Sequence, residues 1–161
     1  GRMNEYCVVV ANASRARFFS LEPVAVPEVM NRLRLVEHSD LVNPEATLPG
    51  RETWSDTRSG SNTAPGGGPS HRYDDHRERH MQEVGRRFAR QVAGAALDMT
   101  RSRDAHCLVI VAARRMLGYL RPELETPAPH VEIREAPKDL TMLAPQDICD
   151  HLITAGVLPA H

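Results

Sequence analysis

Tyr6-Cys7-Val8-Val9-Val10-Ala11-Asn12-Ala13-Ser14-Arg15-Ala16-Arg17-Phe18-Phe19-Ser20-Leu21 is the stretch that decides the fold of this chain. The β-branched run Tyr6–Ala11 has no polar side chain to send to water, as expected of a strand buried on both faces. Asn12-Ala13-Ser14 is a turn signal, because Asn and Ser side chains bond the backbone a few residues on, and 15–21 returns as the second arm of a hairpin. After Pro23 and Pro27, residues 31–37 set polar Asn31, Arg32 and Arg34 against Leu33 and Leu35, the pattern of a half-exposed third strand. An antiparallel meander is expected.

From Ser39 to about Arg72 the composition turns to Gly, Pro, Ser, Thr, Asn and Asp, with Trp54 the only aromatic. A long loop at 39–72 is expected, with Gly66, Gly67 and Gly68 as its most flexible part. A long helix follows over about 73–101. Met81, Val84, Phe88, Val92, Ala95, Ala96 and Met99 recur at steps of three or four, and Asp74 and Asp75 suit its positive end. A buried strand at 106–112, a short helix at about 114–120 that Pro122 helps to end, a strand at 131–134 and a helix from Pro145 to before Gly156 complete the chain. The order β-β-β-α-β-α-β-α joins a meander to helical crossovers and predicts an α/β fold, a ribonuclease-H-like mixed five-stranded sheet with flanking helices.

With 161 residues, one domain over 3–158 is expected, and Gly1 and Arg2 ahead of Met3 read as an expression remnant. Twenty basic side chains face 21 acidic ones, which excludes a global attraction to nucleic acid or an anionic membrane, so any such contact must be local. Cys7, Cys107 and Cys149 are odd in number, lack CxxC spacing and sit in apolar stretches, as core residues of a reducing compartment do. The apolar run at 6–11 is too short for a signal-peptide core or a membrane span, so a cytoplasmic location and no membrane partner are expected.

The chemistry is narrower than the fold. A two-metal nuclease needs carboxylates in the middle of its first and fourth strands, and neither 6–11 nor 106–112 contains one. His71, His76 and His80 with Asp74, Asp75 and Glu78 are the densest set of potential metal ligands, but Arg77 stands where an HExxH site places its Glu, and a solvated helix start is the plainer reading. No metal is expected. Gly66-Gly67-Gly68 lacks the context of a phosphate-binding loop, and no cofactor is expected. Ser70, His71 and Asp74 or Asp75 supply the residue types of a hydrolase triad without a nucleophile elbow. Arginines recur in the loop (Arg51, Arg58), along the long helix (Arg79, Arg86, Arg87, Arg90) and around the short helix (Arg114, Arg115, Arg121). Two readings stay open: an anion-binding face for RNA phosphates, or solvated faces balanced by Asp75, Glu78 and Glu83. With few aromatics, sequence-specific single-strand binding is disfavoured.

Five separated segments, in order, resemble one family: Ala13-Ser14-Arg15-Ala16-Arg17-Phe18-Phe19, Ser55-Asp56-Thr57-Arg58, Arg86-Arg87-Phe88-Ala89, the run from Val111-Ala112-Ala113-Arg114-Arg115 to Arg121, and Lys138-Asp139-Leu140-Thr141. They resemble the bacterial host attachment protein family, related to the middle domain of archaeal and eukaryotic class I peptide release factors. The resemblance implies a release-factor middle-domain type of α/β domain, tRNA or the ribosome as partner, and action on peptidyl-tRNA at stalled ribosomes. That domain carries Gly-Gly-Gln on a flexible loop leading into a long helix. Here the region reads Gly66-Gly67-Gly68-Pro69-Ser70-His71, so the glutamine is absent and Ser70 or His71 would have to orient the water. Arg15, Arg17, Asp56, Arg58, Arg115, Lys138 and Asp139 are the polar positions carried over as binding candidates. Arg58 lies in the expected loop and Arg115 beyond a buried strand's C-terminal end, where α/β ligand crevices form. The alternative function is a non-catalytic accessory protein required indirectly for attachment to host cells.

Overall fold

The computed structural model describes residues 5–24, 33–46, 68–125 and 130–159, with side chains of the long helix from Asp75 onward. Five strands, β1 (Tyr6–Ala11), β2 (Arg15–Pro23), β3 (Leu33–Val42), β4 (Cys107–Val111) and β5 (Glu132–Ala136), form one open sheet in the order β3-β2-β1-β4-β5. β1–β2 and β2–β3 are antiparallel, whereas β1–β4 and β4–β5 are parallel. Three helices occur among the described residues: α1 (Gly68–Ser102), α2 (Arg114–Glu123) and α3 (Pro145–Thr154).

Helices cover both faces of the sheet, which explains why its central strands are apolar throughout. Cys7, Val9 and Ala11 of β1, with Leu108 and Ile110 of β4, pack under Phe88, Val92 and Ala96 of α1 and Leu117 and Leu120 of α2. Val8, Val10, Val109 and Val111 point the other way, onto Ile148, Cys149 and Leu152 of α3. All three cysteines are buried and unpaired, and burial pushes the Cys7 and Cys107 thiols up to about 11, so they act as small apolar side chains.

Several boundaries differ from the sequence reading. β3 runs to Val42, into the expected loop, because the edge strand exposes Glu37, His38, Ser39 and Asp40 and so has the composition of a loop. α1 begins at Gly68 instead of about residue 73. Pro69 sits in its first turn, where the missing N–H costs no bond and φ is already helical. Gly68 therefore opens a helix and is not part of a flexible loop; Gly66 and Gly67 lie outside the described residues. α2 continues through Pro122 to Glu123, since a proline in the last turn removes a single backbone bond. α3 stops as expected at Gly156, whose φ of +81° suits glycine.

Candidate functional site

The parallel strands β1, β4 and β5 end level, with Val10 beside Val111 and Val111 beside Ala136. Their carboxyl ends form one rim, the position at which α/β sheets bind ligands. Three connections emerge there: the β1–β2 turn, the approach to α2, and residues 137–144 ahead of α3.

Two of these connections clasp each other. Asn12 Oδ1 accepts the N–H groups of Ser14 (2.7 Å) and Arg15 (2.9 Å), which makes the tight turn. Its Nδ2 donates to Thr141 Oγ1 at 3.0 Å, and Thr141 Oγ1 donates to Asp139 Oδ1 at 2.7 Å. Arg17 completes the clasp. Its Nε and Nη2 fork onto Glu37 (2.9 and 2.8 Å), and Nη1 donates to the carbonyls of Thr141 (2.8 Å) and Leu143 (2.7 Å). The Arg17 side chain is only 9% exposed, and its hydrogen bond holds the Glu37 carboxyl below the usual carboxylate range. Of the carried-over positions, then, Arg17 and Asp139 hold the rim's loops together, while Arg15 forms an exposed pair with Asp40 at 3.4 Å.

Arg115 and Lys138 are exposed on the rim itself. Arg114 and Arg115 form the first turn of α2, whose N-cap, Ala113, makes no side-chain cap bond. Two cations thus stand at the positive end of a helix dipole, an unfavourable placement that an anion relieves. Arg115 reaches Glu78 of α1 at 3.6 Å, but both side chains are more than half exposed, so this pair is worth about 0–1 kcal/mol and is readily exchanged. Among the described residues Arg114 and Lys138 have no ion-pair partner. Among the described residues, four other arginines singled out from the sequence are each engaged by a neighbouring side chain. Arg87 is forked onto Glu45 (2.7 Å), Arg121 onto Glu135 (2.8 Å), Arg90 lies 3.7 Å from Glu123, and Arg86 stacks over Tyr119.

Asp56, Arg58, Gly66 and Gly67 lie outside the described residues, and Ser70 and His71 occupy the first turns of α1 with their side chains outside them. Among the described residues no group of three or more His, Cys, Asp or Glu is placed to hold a metal, and no helix is long and apolar enough to cross a membrane. Sequence reasoning read Asn12 as a turn former, as its bonds to Ser14 and Arg15 show, but missed its bond to Thr141 and the parts played by Glu37 and Thr141. Their roles depend on partners up to 129 positions away, which leave no local signal.

Fold and rim together define a mixed open-sheet α/β domain with a small cationic patch at the ends of its parallel strands. A family described as a protein required for attachment to host cells matches residues 7–152, and the chain belongs to that family. No curated protein matches the chain.

Proposed function

We propose that this protein is a ribosome- or tRNA-associated factor that binds RNA phosphates at the rim through Arg114, Arg115 and Lys138. The observation that carries this reading is the first turn of α2: two arginines on an uncapped, positively polarised helix end, beside the ends of three parallel strands. The strand order β3-β2-β1-β4-β5 supports a ribonuclease-H-like plan of release-factor middle-domain type. Binding without chemistry is the favoured form, because the region Gly66-Gly67-Gly68-Pro69-Ser70-His71 lacks the release-factor glutamine. The family's role in attachment then reaches the host-facing surface indirectly, through synthesis of other proteins.

Fluorescence polarisation with labelled deacylated tRNA tests the proposal. Arg114→Ala/Arg115→Ala is expected to weaken binding at least tenfold, while Arg87→Ala and Arg121→Ala, whose cations are engaged by Glu45 and Glu135, change it less than twofold. Equal effects of all three variants would reduce the patch to general surface charge and reject the site. Turnover of a peptidyl-tRNA ester that His71→Ala abolishes would replace binding by hydrolysis.

A further inference from the structure

An open sheet has two edges, and here they differ. β3 is guarded: its pairing passes from Ser39 opposite Phe18 to Glu37 opposite Phe19, which leaves His38 in a β-bulge, and Glu37, His38 and Asp40 are exposed along it. A bulge and charges are the devices that keep another strand from adding to an edge. β5 instead runs in unbroken register with β4, from Cys107 beside Glu132 to Val111 beside Ala136. Glu132 donates its N–H to His106 and Ala136 accepts from Ala112, so residues 132, 134 and 136 turn their main-chain groups inward to β4. By the alternation of a parallel ladder, Val131, Ile133 and Glu135 turn theirs outward, where no strand among the described residues pairs with them.

The side chains of this edge complement a copy of themselves. Val131 and Ile133 pack against the core under α1 and α2 and are still partly exposed. Glu132 and Arg134 lie on the opposite face, paired at 2.9 Å, with Arg134 Nη1 donating to the Val157 carbonyl. A two-fold antiparallel pairing must set outward-facing residues opposite one another, which leaves few registers. Centring on Arg134 opposes two arginines, and centring on Glu132 or Glu135 opposes two glutamates, like charges about 5 Å apart. Centring on Val131 lines Ile133 up with Pro129, which has no N–H to give. Centring on Ile133 sets Ile133 against its own copy and Glu132 against Arg134 in both directions, while Glu135, already held by Arg121 at 2.8 Å, meets Val131. We propose that β5 is the seam of a homodimer, in which two copies of this chain join their β5 strands edge to edge, centred on Ile133, into one continuous sheet. Glu132 of each copy lies opposite Arg134 of the other, and Val131, Ile133 and Glu135 exchange their free main-chain bonds. The antiparallel seam sends the two rims that carry Arg114, Arg115 and Lys138 to opposite ends of the dimer.

Sedimentation equilibrium with charge-swapped variants tests the seam. Wild-type protein is expected to associate to twice the chain mass. Glu132→Arg sets arginine opposite arginine and Arg134→Glu sets glutamate opposite glutamate, and each is expected to weaken self-association by about tenfold. Mixed in equal amounts, the two variants again meet with unlike charges and are expected to form a heterodimer, which a merely structural effect of either substitution would not restore. The double variant Glu132→Arg/Arg134→Glu is expected to dimerise by itself. Glu132 is exposed, so Glu132→Arg is expected to fold. Arg134→Glu gives up the Val157 carbonyl, and if it does not fold, wild type against Glu132→Arg still decides. A wild-type chain that stays monomeric, a Glu132→Arg variant that associates as tightly as wild type, or folded single variants that fail to combine when mixed overturns the proposal.

Discussion

Asn12 and Thr141, 129 positions apart, are joined side chain to side chain at 3.0 Å, and that bond fastens the β1–β2 turn to the segment leading into α3. Arg17 closes the same clasp with four hydrogen bonds, two to Glu37 and two to main-chain carbonyls. Arg17→Met leaves those acceptors unpaired and is expected to cost about 2–3 kcal/mol in urea unfolding. Arg15→Met, which gives up the exposed pairing with Asp40 and a weaker attraction to Glu37, is expected to cost about 0–1 kcal/mol. Equal losses would mean that burial of the Arg17 pair adds nothing.

The clasp also sets a pH dependence. The Arg17 guanidinium depresses the Glu37 carboxyl in the folded state, so its stabilisation is present above the unfolded carboxylate value of about 4.3 and is lost as pH falls through the lower folded value. Wild-type protein is therefore expected to lose more stability than Arg17→Met on going from pH 5 to pH 2, so that the difference between them narrows. Parallel curves in acid would disconnect Glu37 from Arg17.

Legibility from sequence followed locality. Tyr6–Ala11 was readable because a both-face-buried strand needs only apolar β-branched residues, and the helix at 145–154 because proline and glycine mark its ends. The far half of β3 was not, since an edge strand with exposed Glu37, His38 and Asp40 shares its composition with loops, and the bulge at His38 breaks the alternation. The start of α1 was hidden by Gly68 and Pro69, residues that suit either a loop or a first helical turn. At the rim, Arg115 was legible from its place after a buried strand. Arg17 stood only among the binding candidates, and its structural role was hidden because the carbonyls it holds, those of Thr141 and Leu143, lie more than 120 positions away.

Gly85 marks the close approach of α1 and α2: a Cβ there would stand 2.8 Å from Tyr119 Cε2. Gly85→Ala trades a gain of about 1 kcal/mol in helix propensity against overpacking of about 1–3 kcal/mol. It is expected to destabilise wild-type protein by about 1 kcal/mol and to stabilise the Tyr119→Ala variant by about the same amount. The same sign in both backgrounds, by urea unfolding, would contradict the packing.

Asp104 has φ of +54° at the end of α1, where Ala105 N–H bonds Thr100 C=O and Asp104 N–H bonds Arg101 C=O. That is a Schellman motif with an aspartate in the glycine position. Asp104→Gly is expected to raise stability by about 0.5–1 kcal/mol, read as a higher urea midpoint with unchanged slope. A lower midpoint would show that the aspartate side chain contributes more than its backbone strain costs.

Phosphate binding at the first turn of α2 is tested most directly by the salt dependence of tRNA affinity. Plotting log K against log of the salt concentration for wild type and for Arg114→Ala/Arg115→Ala gives the number of phosphates that the two side chains neutralise. A wild-type slope of about −3 is expected, becoming shallower by about 1–2 in the variant, with no change in Arg87→Ala. Identical slopes for wild type and the Arg114→Ala/Arg115→Ala variant, or a wild-type affinity that salt does not alter, would contradict the assignment.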